Sequence, residues 1–328
     1  MPARTIESVL EDLNINTRIL GINISGMKTV IVYGDMNGLV YERMQMETPA
    51  ELPFVECFDL ICSQADKLLK LRRAQGLRSP EVISLAVSGP VDRLKGSVLT
   101  PPDLPHWDNA PIKGRIGVRY NLPVFIEERS NAAALAELYF GAGTRVENMI
   151  LLDLETVVSA GLIFGRSVYH GAEDAAGEIG RILMADKGPA GFDVPGSLSG
   201  FSSGPGMAEL ASLRFPHRWP SPPRPYDLVK SVNEGDPDAL AVIEEAAYHL
   251  GAALLWMIFM LDPEMVVVGH PGDILGEALL SPLRESVLRH GGAAARQLPR
   301  LVGSTLGAKL DDTAALMAVI EAFKTRSS

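Results

Sequence analysis

Cysteine is nearly missing from this chain: Cys57 and Cys62 are the only two among 328 residues. Five apart in a helical stretch, they form neither a disulfide framework nor a metal-ligand pattern, and read as unspecialised thiols in a reducing compartment. Long apolar runs are missing too. The longest, Leu250–Leu261, has twelve residues, short of the roughly 20 needed to span a bilayer, so it reads as the core helix of a soluble protein with no membrane partner. No basic segment leads into an apolar core and cleavage site at the N-terminus, which argues against secretion and for the cytoplasm. Nor does a basic patch stand out in a chain of formal net charge −10. Such a surface repels nucleic acid, and no direct nucleic-acid partner is expected.

What is present suits two ordinary domains with real cores, since 47% of the residues are hydrophobic and 21% charged. The chain is organised around Leu122–Gly143, LPVFIEERSNAAALAELYFGAG. An apolar run reads as a buried strand, Glu127, Glu128 and Arg129 form a turn, and Ser130-Asn131 is expected to cap an alanine-rich helix. In open α/β sheets ligands bind beyond the carboxyl ends of strands, and a helix N-terminus there favours anions. Before it, residues 5–13 read as a short amphipathic helix. Arg18–Tyr33 then reads as strand, turn and strand, with a third strand at Leu39–Gln45. Residues 51–75 read as an amphipathic helix, and Glu81–Val87 as a strand ending at Ser88-Gly89-Pro90-Val91-Asp92. After it come a hairpin starting at Met149, a Gly/Pro/Ser-rich loop at 186–206, and an exposed Pro-rich linker at 216–225. A long helix over Ala239–Leu261, a strand at Met265–Val268 and a closing helix at Asp311–Phe323 complete the chain.

Several of these segments resemble the ROK (repressor, open reading frame, kinase) family of sugar kinases and sugar-responsive regulators. Ile126–Ala134 resembles its Val-Glu-Asn-Asp-Ala-Asn-Ala-Ala-Ala segment, Thr100–Trp107 its Asn-Leu-Pro-Gly-Trp loop with Asp103 at the Asn position, and Ala176–Arg181 its Ala-Gly-Glu-Ile-Gly-His. The resemblance implies an α/β protein of two actin-like ATPase (ribonuclease H-like) domains with a cleft between them. It divides the chain into an arm at 1–17, a small domain at 18–125 plus 311–328, and a large domain at 126–310. It also implies a homodimer and a small sugar-like ligand held by Gly89, Pro90, Asp103, Glu128, Arg129, Glu178 and Arg181. The winged helix-turn-helix of ROK repressors needs far more chain than precedes the first strand, so no DNA-reading head is expected.

The chain departs from the family where the chemistry lies. The kinase base, an Asp, is Arg129 here, and the sugar-holding Asn beside it is Glu128. Guanidinium is always charged and accepts no proton. The phosphate-binding Asp-Ile-Gly-Gly-Thr-Lys turn reads Asn23, Ile24, Ser25, Gly26, Met27, Lys28. The second phosphate turn reads Glu155-Thr156-Val157-Val158, and the adenosine-binding Gly-Gly-Gly reads Gly269-His270-Pro271-Gly272. These are degenerate nucleotide-binding positions. At the zinc site the His is Arg181 and Ser197-Leu198-Ser199 replaces Cys-Leu-Glu, so no metal is expected. Three readings follow. The first is a catalytically silent protein, with no ATP or Mg²⁺ cofactor, that binds a sugar, and a sugar acid or sugar phosphate if Arg129 and Arg181 point inward rather than neutralising Glu127, Glu128 and Glu178. The second is an ATP-dependent sugar kinase, using Mg²⁺, with Glu127 or Glu128 as a displaced base. The third is a partner-binding regulator without its own DNA-binding domain.

Overall fold

A computed structural model describes residues 6–292 and 298–326. The first five positions of the expected arm and the last two of the expected small domain lie outside the described residues. By contacts the chain forms two units, one of Met1–Ala136, Gly171–Ala175 and Ala308–Ser328, the other of Glu137–His170 and Ala176–Gly307. The division falls within a helix, later than the 125/126 boundary expected from the sequence.

The first unit opens with α1 (Ile6–Asp12), then β1 (Arg18–Ile24), β2 (Lys28–Asp35) and β3 (Val40–Glu47) as an antiparallel meander. β1 is buried along nearly its whole length, whereas β3 alternates buried and exposed positions as an edge strand does. α2 (Phe54–Ala74) leads to β4 (Val82–Val87), the two-residue strands β5 (Val91–Asp92) and β6 (Ser97–Val98), α3 (Ile112–Tyr120), and β7 (Val124–Glu128), which runs directly into α4 (Arg129–Phe140). The sheet order is β3-β2-β1-β4-β7, with β1, β4 and β7 parallel. Cys57, Phe58, Ile61 and Cys62 of α2 pack with Trp107 into one core on this sheet. The C-terminal helix, Leu310–Arg326, lies along β1, β2 and β4 and buries Leu316, Val319 and Ile320 completely.

The second unit repeats the plan. β8 (Met149–Asp153), β9 (Ser159–Phe164) and β10 (Ser167–Val168) form its meander, followed by the short α5 (Leu198–Ser202), α6 (Gly204–Arg214), α7 (Pro225–Asn233) and α8 (Pro237–Leu261). β11 (Met265–Val268), α9 (Gly272–Leu275), α10 (Glu277–Gly291) and β12 (Arg300–Gly303) complete it, in the sheet order β10-β9-β8-β11-β12. α8 is longer than its apolar run suggested, and by length and composition alone it could cross a membrane. It does not read as a span, because 61% of its apolar window is buried in the unit, against α10 and the sheet. The Pro-rich segment is a short exposed turn, with Arg218 paired to Asp236 at 2.7 Å and Trp219 edge-on to Phe215. The fully buried Glu137 carboxylate fixes the 304–307 turn. One oxygen accepts from Ser304 Oγ and Leu306 N, the other from Ala142 N and Thr305 Oγ1.

Candidate functional site at the carboxyl edge of the first sheet

Ile24, Val87 and Glu128 are register partners, so β1, β4 and β7 end level with one another. Their following residues therefore gather at one edge: Ser25 and Gly26, Ser88 and the cis Gly89-Pro90 pair, and Arg129. Asp103 comes over this edge from the 100–107 loop and is 2% exposed. Its Oδ2 accepts from Gly26 N at 2.8 Å and Ser88 Oγ at 2.9 Å. A Cβ on Gly26 would lie 2.1 Å from the Asp103 carbonyl oxygen, so only glycine allows this approach. Met27, at the tip of the same turn, is 36% exposed.

Arg129 does not sit in a turn. It is the first residue of α4, it is buried, and its Nη2 donates to Asp311 Oδ1 at 3.3 Å. Lys28 Nζ reaches the other Asp311 oxygen at 2.6 Å, and Asn23 Nδ2 donates to the Asp311 carbonyl and carboxylate. The next residue, Asp312, pairs with Arg43 at 2.6 Å; burial raises its pKa and Arg43 opposes that rise. The expected cap is also corrected. Glu128 caps α4, its Oε2 accepting from Asn131 N at 3.1 Å and from Ser130 Oγ, while Glu127 accepts from its neighbour's amide, from Asn131 Nδ2 at 3.1 Å and from Arg93. A carboxylate at the strand end suits the helix dipole at least as well as a serine.

In the second unit the 154–158 turn is tightly held. Thr156 and Val158 are 1% exposed, Val158 N donates to Ser199 Oγ at 3.0 Å, and Glu155 N donates to Asp153 Oδ1 at 3.0 Å. Gly177 has a φ of +93°, and a Cβ there would meet the Ala160 carbonyl oxygen at 1.9 Å. That contact explains the Ala-Gly-Glu run physically: the turn carrying half-buried Glu178 lies directly on β9. Arg181 is 58% exposed along its side chain and pairs with Asp193 at 3.4 Å, with burial raising the Asp193 pKa and Arg181 opposing it. At the end of β11, Gly269 N donates to Leu152 O and Leu154 N to His270 O, so the 269–272 turn adjoins the hairpin turn that contains Thr156. Gly272 opens α9, and His270 Nδ1 lies 2.7 Å from Asp273.

Of the residues expected from the sequence, the first unit brings together Asn23, Ser25, Gly26, Gly89, Pro90, Asp103, Glu128 and Arg129. Glu178, Arg181, Thr156, Gly269 and Gly272 belong to the second. Sequence reading gave no ligand-site role to Asp311, Asn131, Ser88 or Ser199, whose contacts organise these turns. The one available signal was the Asp311-Asp312 pair, an acidic first turn opening a helix.

A family model described as the ROK family matches residues 19–324. The glucokinase of Halalkalibacterium halodurans is 30% identical over 191 residues, 55% of this chain and 58% of that protein. The xylose repressor of Caldicellulosiruptor bescii is 27% identical over 284 residues, 82% of this chain and 69% of the repressor. The first of these matches thus spans less than two thirds of the relative's own length. Among solved structures, a ROK family glucokinase from Streptomyces griseus in complex with glucose and AMPPNP is 26% identical with a TM-score of 0.79, over 91% of this chain and 97% of that one. A ROK family transcriptional regulator, homolog of the E. coli MLC protein, has a TM-score of 0.76 at 21% identity, over 97% and 84% of the two chains, a likeness of fold alone. With a family match across almost its whole length, the chain belongs to the ROK family and has its actin-like ATPase fold.

Proposed function

We propose that this chain binds a sugar-like ligand at the carboxyl edge of its first sheet and does not phosphorylate it. The observation that carries the reading is Arg129, at the position of the kinase base, buried and paired with Asp311. A sugar kinase must remove a proton from the attacking hydroxyl, hold Mg²⁺ and cradle the phosphates. Arg129 cannot accept a proton, and loss of a general base alone lowers a rate about 10² to 10⁴-fold. Glu127 and Glu128 do not replace it readily, since both are committed to Asn131 and the start of α4.

The phosphate turns support the same reading. Gly26 N donates to Asp103 and Val158 N to Ser199, so amides at two family phosphate positions already have acceptors. Serines and an arginine at the family's zinc positions are a poor donor set for zinc, which takes thiolate, imidazole or carboxylate. Ser197 and Ser203 instead cap α5 and α6 at Gly200 N and Gly206 N. Arg129 and Arg181 are engaged with Asp311 and Asp193, which favours a neutral or cationic ligand over a sugar acid or phosphate. Relatives named as glucokinase and as xylose repressor are both similar to the chain, which is compatible with a sugar-responsive role that needs no phosphoryl transfer.

The test is thermal unfolding of the full chain against a sugar panel, alongside a coupled assay for sugar-dependent ADP release with Mg-ATP. A sugar at a hundred times its Kd adds about 2.7 kcal/mol, and the expected result is stabilisation without ADP. Sugar-dependent ADP release overturns the reading.

A further inference from the structure

We propose that Asp103 is the anionic half of a subsite for a protonated amine, so that the ligand is an amino sugar or amino polyol. The inference rests on the sugar-binding reading above and narrows it.

Asp103 is 2% exposed, and its Oδ1 is buried without a hydrogen-bond partner. Its Oδ2 takes two donors, Gly26 N and Ser88 Oγ, and neither carries a charge. Among the described residues no cation pairs with it, and Lys28, which shares the turn with Gly26, is bound to Asp311. An ionised carboxylate offers about four acceptor positions, and burying its charge without a counter-charge is unfavourable. The missing element is a cationic donor.

The rest of the edge agrees. Asn23 Oδ1 and Asn131 Oδ1 are also buried without partners, and both amide groups are oriented by donating through Nδ2, to Asp311 and to Glu127. Asp103 Oδ1, Asn23 Oδ1 and Asn131 Oδ1 are all acceptors. Hydroxyl groups satisfy the two amide oxygens. An ammonium, with donors and no acceptor, satisfies Asp103 Oδ1 through a charge-assisted bond and neutralises the carboxylate at the same time. A neutral hydroxyl in that place satisfies the bond and leaves the charge unpaired. Asparagine, the family residue at this position, has no charge to pair, so amine selectivity is a property of this chain's own aspartate.

The test is calorimetric titration of the full chain with matched pairs, glucosamine with glucose, mannosamine with mannose and galactosamine with galactose, at pH 6.5 and pH 9. At least one amine is expected to bind about 10-fold or more tighter than its parent at pH 6.5. The advantage collapses at pH 9, above the pKa of about 8 typical of such an amine. Asp103→Asn retains an acceptor oxygen for Gly26 N and Ser88 Oγ and removes the charge, and is expected to abolish the amine preference, so that the members of each pair bind it equally. Equal affinities within every pair, an advantage that survives in Asp103→Asn, or equal stabilisation by K⁺ or Mg²⁺ alone overturns the amine subsite and leaves sugar binding standing. If no sugar of either class binds, both readings fall.

Discussion

Glu137→Gln isolates the contribution of a single charge. Each oxygen of the Glu137 carboxylate accepts one backbone N–H and one hydroxyl: Leu306 N with Ser304 Oγ on one, Ala142 N with Thr305 Oγ1 on the other. Glutamine keeps the shape and turns one oxygen into a donor. A hydroxyl can rotate to accept from that amide; a backbone N–H cannot. Either orientation of glutamine therefore sets an N–H against an NH₂ and strands one backbone donor. Such a donor costs about 1–3 kcal/mol, and the remaining bonds weaken because a neutral acceptor replaces a charged one. Since the Ala142, Ser304 and Leu306 donors around the buried carboxylate are themselves only partly buried, the expected loss is about 2–3 kcal/mol. At 2–4 °C per kcal/mol for a domain of this size, that is a fall of about 5–10 °C in the transition that includes the second unit. Differential scanning calorimetry reads it, with Thr305→Val as a control that removes one hydroxyl and costs about 1 kcal/mol. A Glu137→Gln protein that melts within about 2 °C of the parent refutes the argument.

Two further outcomes are expected. Burial raises the Cys57 and Cys62 thiols to about 11, and both residues are 0% exposed; neither should react with an aromatic disulfide reagent at pH 8 until denaturant unfolds the chain, and prompt native labelling would contradict their placement. His249 stacks on Phe201 at 3.7 Å; burial lowers its pKa, Glu245 opposes the shift, and Arg214 and His290 add to it. The unfolded chain therefore takes up a proton near pH 6.5 that the folded chain takes only at lower pH. Stability from this group is complete above that value and declines as pH falls toward the folded pKa. His249→Phe, which keeps the stacking, should shrink the drop in Tm between pH 7 and pH 5, and an unchanged drop would assign it to other groups.

The regular elements were legible because their patterns are local. Met265–Val268 is the strand that its β-branched run suggests, and the long helix stops at Asp262, which adopts a left-handed φ of +45°. Trp107 is completely buried, where its large apolar area serves packing. The cap of α4 misled because cap rules favour small polar residues, whereas here a glutamate at the strand end reaches forward three residues. The partner of Arg129 was beyond reach for another reason. Asp311 lies 182 positions away, and no periodicity links residues that only the fold brings together. Substitution at a motif position was readable from the sequence. Where the substituted side chain found its counter-charge was not.

The segmented first unit bears on the order of synthesis. Three stretches of chain compose it, and the last, Ala308–Ser328, leaves the ribosome after every residue of the second unit. That stretch carries Leu316, Val319 and Ile320, which close one face of the first sheet. During translation the second unit can therefore complete its core while the earlier-made sheet still exposes apolar residues along β1 and β4. The older half of the nascent chain is the later one to mature, and it is the half a chaperone would have to shield.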